Sequence, residues 1–193
     1  GILGANGYTG YELVRLLLAH PNASVAYLGS RTYKGKAYSE VYPNLCGALD
    51  VVCDDKELSQ IAPELDCVFT ATPQGFCASV ISEAVLSQTK IIDLSADFRL
   101  KNAQIYEKWY KIEHKAPQFL SEAVYGLCEI HRQSIKKARL IANPGCYTTC
   151  AILSLYPLIK AGVAELNSII IDAKSGKSGA GRNERLDNLF CET

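Results

Sequence analysis

The residues best suited to chemistry lie in Asn143-Pro144-Gly145-Cys146-Tyr147-Thr148-Thr149. The apolar run Leu140-Ile141-Ala142 comes just before, and a helix is predicted over 147–160, so Cys146 falls at a strand-to-helix turn. The first N–H groups of a helix have no intrahelical partner and carry the positive end of its dipole. Both effects favour a thiolate, the form in which cysteine acts as a nucleophile. The competing reading of any cysteine is a small buried hydrophobe. The strand–Pro–Gly–Cys–helix setting tips the balance toward a reactive thiol at Cys146.

A second constellation is Gly4-Ala5-Asn6-Gly7-Tyr8-Thr9-Gly10, which follows an apolar strand and opens a helix. Its G-x-x-G-x-x-G spacing is a variant of the dinucleotide-binding fingerprint, in which glycines permit a tight turn and backbone N–H groups meet a pyrophosphate at the helix N-terminus. Gly4, Gly7, Tyr8, Thr9 and Gly10 are therefore cofactor-binding candidates. Glycine spacing alone is a weak signal, and a ligand-free turn is the alternative; the βαβ context favours binding. The next strand runs into Gly29-Ser30-Arg31. An NAD site usually has an acid about 20 residues beyond the glycines to bond the ribose 2′-hydroxyl. Here there is none, and Arg31 stands where a 2′-phosphate would arrive, so Ser30 and Arg31 point to NADP. A solvated loop cation is the other reading of Arg31. Thr72 and Pro73, at the turn after another strand, are candidates for a wall of the nicotinamide site, or for a plain turn. Arg99 is the best candidate to hold a substrate phosphate or carboxylate, unless it pairs with Asp93 or Asp97.

Positioning these groups requires a sheet. Apolar runs predict strands over 1–3, 25–28, 67–71, 90–94, 140–142 and 168–173. Helical patterns fall at 9–19, 56–62, 76–87 and 147–160, the first with Thr9 and Glu12 at capping-box spacing. Residues 33–53 read as a loop or short hairpin, and 98–124 resist assignment. Strands alternating with helices give an α/β fold: a Rossmann-type, doubly wound, mostly parallel sheet, with the start of a second α+β domain after it. The 193 residues carry zero formal net charge and are 48% hydrophobic and 21% charged. Neutrality offers nothing to nucleic acid or an anionic membrane, and no apolar run reaches the roughly 18 residues of a membrane span. The eight cysteines (Cys46, Cys53, Cys67, Cys77, Cys128, Cys146, Cys150, Cys191) include no C-x-x-C pair, so no metal site is expected. A chain of this size does not need a disulfide framework, and a reducing cytoplasm is the expected location. Methionine is absent and both ends read as cut, so the sequence is expected to be a piece of a longer chain.

The segments GANGYTG (4–10), GSR (29–31), IDLSADFRL (92–100), VYGL-x-E (124–129), NPGCYTT (143–149) and IIIDAKSGKSGAGR (169–182) span nearly the whole sequence. On them the chain resembles the N-acetyl-γ-glutamyl-phosphate reductase family, within the aspartate-semialdehyde dehydrogenase-like superfamily. The resemblance implies an NADP-binding Rossmann domain over 1–145 and the beginning of a catalytic and dimerisation domain over 146–193. It implies NADPH-dependent reductive dephosphorylation of N-acetylglutamyl 5-phosphate to the 5-semialdehyde, through a thioester on Cys146. Ser175 and Gly176 would join the cofactor site; Arg99, Asn143, Ser178 and Arg182 would bind substrate, although Lys174, Lys177 and Arg182 also fit a solvated rim. The partners implied are a small acyl phosphate, inorganic phosphate and, at full length, a second copy of the chain. Cys128 departs from the family, which commonly has proline there. The family's catalytic histidine would lie beyond Thr193, and His20, His114 and His131 are expected to be structural or solvent-facing. Cys150, one turn past Cys146, is expected to pack. Other readings stay open: an acyl-phosphate reductase acting on aspartyl phosphate or a carrier-linked amino acid, and a non-enzymatic NADP-binding redox sensor. A cysteine hydrolase would need His and Asn or Asp partners and leaves the glycine turn unexplained.

Overall fold

A computed structural model describes residues 1–182 and 186. The chain divides into two compact units, Gly1–Asn143 and Pro144–Thr193. The first is built on short parallel strands: β1 (Ile2–Leu3), β2 (Leu28–Gly29), β3 (Cys53–Asp54), β4 (Cys67–Thr70), β5 (Lys90–Asp93), β6 (Val124–Tyr125) and β7 (Leu140–Ala142). They form one seven-stranded sheet in the order β3-β2-β1-β4-β5-β7-β6, with every pairing parallel. The order reverses between β1 and β4, and the carboxyl ends on either side of such a reversal form the crevice where open α/β sheets hold ligands. Gly4 follows β1 there and Ala71-Thr72-Pro73 follows β4.

Both faces of the sheet are covered, as parallel pairing demands. On one, Ile2, Leu28 and Cys53 pack with Val14 of α1 (Tyr8–Leu18), Tyr38 of α2 (Tyr38–Val41) and Leu45. On the other, Leu3, Val68, Ile91 and Leu140 pack with α3 (Leu58–Ile61), α4 (Phe76–Val80) and α5 (Glu83–Leu86), and with Phe98 and Phe119. Two further helices, α6 (Ala103–Tyr110) and α7 (Cys128–Lys137), complete the unit.

Several expectations need correction. The single helix predicted over 76–87 is two: Ile81 and Ser82 are extended, and Ser82 Oγ accepts from the Val85 N–H at 3.3 Å. A serine that can cap a helix competes with helix continuation. The capping box expected of Thr9 and Glu12 does not form. Gly7 is the N-cap of α1, Thr9 lies inside the first turn, and Glu12 accepts from Arg15 Nε at 2.9 Å instead. Segment 33–53 contains α2, a 3-10 turn (Pro43–Leu45), a bridge pairing Ala37 with Val52, and the approach to β3. The stretch 98–124 contains α6 and leads into β6.

Among its described residues the second unit holds one α-helix, α8 (Cys146–Lys160), followed by irregular backbone with 3-10 turns at Leu166–Ser168 and Lys177–Ala180. No strand forms over 168–173: a 3-10 turn, Leu166–Ser168, is followed by residues without ladder partners, and Ile170 is 92% exposed. A β-rich sequence becomes a strand only when another strand pairs with it, and none of the described residues does. No helix among the described residues is long and apolar enough to cross a membrane.

Candidate functional site

The three glycines of the β1–α1 turn have different physical reasons to be glycine. Gly4 has φ +76°, and a Cβ there would meet Ala71 O at 2.2 Å. Gly10 lies against the turn itself, where a Cβ would meet Gly4 O at 2.5 Å. Gly7 has ordinary extended backbone (φ −79°, ψ 166°), and the nearest atom to a Cβ would be 3.6 Å away. The chain's own packing therefore dictates Gly4 and Gly10 but not Gly7. Gly7 is also the N-cap of α1, and no side chain caps that helix. Tyr8 and Thr9 in the first turn are exposed, and Gly10 is buried.

The turn is anchored from β2. The Gly4 and Ala5 N–H groups both donate to Gly29 O at 3.0 Å. Ser30 is buried; its Oγ donates to Asn6 Oδ1 at 3.0 Å and accepts from the Tyr33 N–H at 3.2 Å. Its hydroxyl thus works inside the protein, tying the two turns together, while Arg31 next to it is exposed. From β4, Thr72 reaches the same turn: its Cγ2 would lie 3.4 Å from a Cβ on Gly4. Thr72 Oγ1 is buried without a hydrogen-bond partner among the described residues, and Pro73 beyond it is exposed. A buried orphan hydroxyl is costly and calls for a partner. Together with the uncapped helix and a glycine that the protein does not itself require, it fits a bound dinucleotide.

Sequence reasoning missed the residues that hold this turn from behind. Tyr38 is fully buried, and its hydroxyl donates to Ala5 O at 2.7 Å. The Tyr42 hydroxyl donates to Asn6 O at 2.9 Å. The available signal was the Tyr38/Tyr42 spacing of one helical turn just ahead of Pro43, in a segment read as loop.

At the ends of β5 and β7 a polar network forms. The Asp97 carboxylate accepts from the Gly75 N–H (2.7 Å), the Ala78 N–H (3.0 Å) and the Tyr106 hydroxyl (2.8 Å), which ties the start of α4 to α6. Burial, and then the bond to Asp97, push the Tyr106 phenol well above its usual range. His114 is buried, with Nε2 2.6 Å from Asp97 O and Nδ1 accepting from the Ala116 N–H at 3.2 Å. That pairing places the proton on Nε2 and makes the ring structural. Asp93 accepts from Thr70 Oγ1, the Ser95 N–H and Ser95 Oγ at 2.8–3.0 Å. Burial nevertheless pushes its carboxyl above the ordinary value, partly offset by those bonds. Arg99 pairs with neither aspartate: Nε donates to Asn143 O at 2.7 Å and Nη2 to Leu94 O at 2.8 Å. Two of its five N–H donors are thus used to fix it beside Asn143, whose own N–H donates to Asp93 O at 2.8 Å.

In the second unit Cys146 is the first residue of α8. Gly145 is the N-cap, no side chain caps the helix, and the thiol-bearing residue is exposed. Thr148 Oγ1 and the Thr149 N–H both donate to Gly145 O at 2.9 Å, securing the turn. A cleft of about 600 Å³ runs along the helix, lined by Cys146, Cys150, Ser175, Gly176 and Ser178 among others. Cys150, expected to pack, is instead exposed and faces this cleft. Arg182 is exposed and is not among the lining residues. Lys174 pairs with Asp172 on the surface. His20 is exposed, with Nδ1 accepting from the Asn22 N–H at 3.1 Å. His131 is exposed at a kink in α7. Cys128, at the family departure, is exposed at the start of α7, and Cys191 lies outside the described residues.

Compared with known families, residues 1–138 match the NAD binding domain of semialdehyde dehydrogenase. The chain belongs to the semialdehyde dehydrogenase family. Residues 146–193 match the dimerisation domain of semialdehyde dehydrogenase. A curated protein of Lachnospira eligens named N-acetyl-gamma-glutamyl-phosphate reductase is 60% identical over 193 residues, covering all of this chain and 56% of that protein. A reductase of the same name from Lachnoclostridium phytofermentans is 59% identical over 192 residues, and one from Campylobacter jejuni 56%. The chain spans about half the length of these relatives (55–56%). Among solved structures, aspartate semialdehyde dehydrogenase II of Vibrio cholerae, complexed with ASA, superposes with a TM-score of 0.58 at 18% identity, covering 83% of this chain and 46% of that one. Aspartate semialdehyde dehydrogenase with NADP from Candida albicans gives 0.53 at 18%, covering 85% and 47%. At that identity the likeness concerns the fold. It agrees with the Rossmann-type sheet read from the sequence, which is parallel throughout.

Proposed function

We propose that the whole protein to which this chain belongs reduces an acyl phosphate to an aldehyde through a thioester on Cys146. The substrate proposed is N-acetylglutamyl 5-phosphate, following the names of the relatives that match the full chain. The observation that carries the mechanism is Cys146 itself, exposed at the head of an uncapped helix and lining a cleft. The thiolate is the nucleophilic form of a cysteine. The thiolate attacks the acyl carbon, the carbon–oxygen bond to phosphate breaks, and inorganic phosphate leaves. Covalent catalysis of this kind divides one difficult step into two easier ones. NADPH, when bound, supplies the hydride that reduces the thioester. The thiohemiacetal so formed on Cys146 collapses to the semialdehyde and frees the thiol. The N–H groups around Gly145 and Cys146 can stabilise the oxyanion, an effect worth about 3 kcal/mol per donor elsewhere.

Gly4, Gly7, Tyr8, Thr9 and Gly10 are proposed to receive the pyrophosphate, Arg31 the 2′-phosphate, and Thr72 and Pro73 to border the nicotinamide. Ser30 acts behind them by holding Asn6. Arg99 and Asn143 are proposed to orient the substrate's anionic groups, together with Ser178 and Arg182; Ser175 and Gly176 are assigned to the cofactor. Residues 1–145 are proposed as the cofactor domain and 146–193 as the start of the catalytic and dimerisation domain. Both nitrogens of His114 are engaged within the fold; following the family resemblance, the base that moves protons is proposed to lie in the part of the relatives' length that this chain does not span. A cytoplasmic homo-oligomer completes the reading.

The test is phosphate-dependent reduction of NADP by the whole protein with N-acetylglutamate semialdehyde, run beside aspartate semialdehyde and with Cys146→Ala. Turnover on the acetylated compound, lost in the variant, is expected. Turnover on aspartate semialdehyde alone overturns the substrate, and an active Cys146→Ala overturns the thioester.

A further inference from the structure

Parallel strands end side by side, and in the run β4-β5-β7 the carboxyl ends carry three segments that the reaction needs. After β4 comes the turn 71–75, whose Thr72 and Pro73 are assigned to the nicotinamide. After β5 comes the loop 94–99, which carries Arg99. After β7 comes Asn143. Neighbouring strands lie about 4.8 Å apart. That spacing puts the segments in order, but it does not fix how far a turn stands from a loop once both have left the sheet. Side chains must set that separation.

Asp97, in the loop after β5, does this. It is fully buried, and its carboxylate accepts from the Gly75 N–H at 2.7 Å and the Ala78 N–H at 3.0 Å. Gly75 is the N-cap of α4, with φ +85° and no capping side chain of its own. The first N–H groups of a helix are ordinarily satisfied by a side chain at the cap itself. Here the acceptor comes from 22 residues later. A local cap would tie α4 only to its own turn. This one ties it to the loop that carries Arg99, two residues on. The loop is held at its other contacts as well. The Asp97 N–H donates to Ser95 Oγ at 3.2 Å, Ser95 Oγ donates to Asp93 Oδ2 at 2.8 Å, and Arg99 is bonded to Leu94 O and Asn143 O. A continuous hydrogen-bonded path thus runs from the turn 71–75, through the Asp97 carboxylate, to the guanidinium.

We propose that Asp97 is a positioning residue for hydride transfer: by capping α4 from the Arg99 loop, it sets the nicotinamide-side turn against the arginine that orients the acyl substrate. It acts through those two segments and is not itself a catalytic residue. The inference rests on the roles proposed above for Thr72, Pro73 and Arg99. In the oxidative direction the thiohemiacetal on Cys146 loses its carbon-bound hydrogen as hydride to NADP and its hydroxyl hydrogen as a proton, leaving the thioester. The separation that Asp97 sets governs the first of these.

The experiment uses the full-length protein with Asp97→Asn and, as control, Tyr106→Phe, which removes another donor to the same carboxylate and leaves both bonds to α4. Without cofactor, hydrogen exchange reads the Gly75 and Ala78 amides. With NADP and N-acetylglutamate semialdehyde but no phosphate, the first turnover stops at the thioester, and stopped-flow absorbance reads hydride transfer. Asp97→Asn is expected to speed exchange of the two amides at least about ten-fold and to slow the first turnover about ten- to a hundred-fold, as a misplacement near 1 Å does. The NADPH Kd by calorimetry, and the semialdehyde KM with phosphate restored, are expected to stay within about three-fold. Tyr106→Phe should leave all four quantities within about three-fold. An Asp97→Asn protein with wild-type exchange or a wild-type first turnover overturns the proposal. So does a Tyr106→Phe protein as slow as Asp97→Asn, which would mark a general loosening of the core. Gly75→Ala keeps the test decisive if Asp97→Asn does not fold. It leaves the carboxylate in place, but it strains a residue at φ +85° and brings a Cβ within 3.3 Å of Ile112 Cγ2, so the turn must shift. The same slowing is expected, and a normal rate overturns the proposal. Failure of the wild-type protein to bind NADPH would remove the cofactor reading itself, an outcome distinct from variants that bind normally and transfer hydride slowly.

Discussion

Replacing Gly7 with alanine separates what the protein needs from what its ligand needs. The backbone at Gly7 is extended (φ −79°, ψ 166°), a conformation alanine adopts freely, and a methyl there would come no closer than 3.6 Å to the protein. Stiffening the unfolded chain contributes about 0.4–1 kcal/mol of stability. Alanine is a poorer N-cap than glycine by about the same amount, so the net change is within about 1 kcal/mol. Gly4→Ala is different. It combines φ +76° with a Cβ 2.2 Å from a backbone oxygen, and left-handed strain plus overpacking cost about 2–5 kcal/mol. A methyl on Gly7 would occupy the approach to the α1 N-terminus and displace a charge-assisted hydrogen bond of about 1.5–3 kcal/mol, raising the NADPH Kd about ten- to a hundred-fold. Urea denaturation and NADPH calorimetry on the full-length variants measure both quantities. Gly7→Ala should melt like wild type and bind poorly. A Gly7→Ala protein as unstable as Gly4→Ala, or one binding NADPH normally, would refute the division of roles.

Cys146→Ala is expected to abolish turnover with NADPH affinity within two-fold of wild type; kinetics and calorimetry on one preparation check both. Arg31→Ala should shrink the preference for NADPH over NADH by about ten- to a hundred-fold, the worth of a charge-assisted contact, read as the ratio of the two Kd values. Asp97→Asn should cost about 1–3 kcal/mol in urea denaturation, because the amide nitrogen would face a buried donor where a carboxylate oxygen now accepts. Asp93 gives a pH signature. Its folded pKa lies above the ordinary 3.8, so the native state binds its proton more tightly than the unfolded chain. That contribution is complete below 3.8 and is lost as pH rises through the folded value. Stability of Asp93→Asn relative to wild type should therefore rise across that window, and a difference that is flat with pH would be contrary evidence.

The parts legible in the sequence were those whose signal is local. The Leu140-Ile141-Ala142 run followed by Asn-Pro-Gly-Cys placed β7 and the start of α8 to within one residue. The glycine spacing placed the β1–α1 turn, and the strands read over 67–71 and 90–94 form as Cys67–Thr70 and Lys90–Asp93. What escaped depends on partners distant in sequence. The fate of 168–173 is set by whether another strand lies beside it, which its residue types do not encode. The α4–α5 break hangs on one serine choosing to cap. Tyr38 and Tyr42 act on carbonyls 33 and 36 residues earlier, and tyrosines in a turn-rich stretch carry no mark of that role. For Arg99, taken from the sequence as an anion-binding candidate, an ion pair with one of two aspartates within six positions stood as the alternative. In the fold those aspartates are occupied by hydroxyl and N–H donors, and the guanidinium turns to backbone carbonyls.

That last exchange has a mechanistic logic. An arginine neutralised by a neighbouring carboxylate has little field left for an anionic substrate, whereas one fixed by two carbonyls keeps its full charge and three of its five donors. Asp93 and Asp97 could each have quenched Arg99. Instead Thr70, Ser95, Tyr106 and the start of α4 hold their oxygens, while Leu94 O and Asn143 O hold the guanidinium in place. Segregating these acids from a base so close in sequence leaves an oriented cation beside Asn143, the residue that leads into the Pro-Gly-Cys turn. That placement is what the proposed anion-binding role of Arg99 requires.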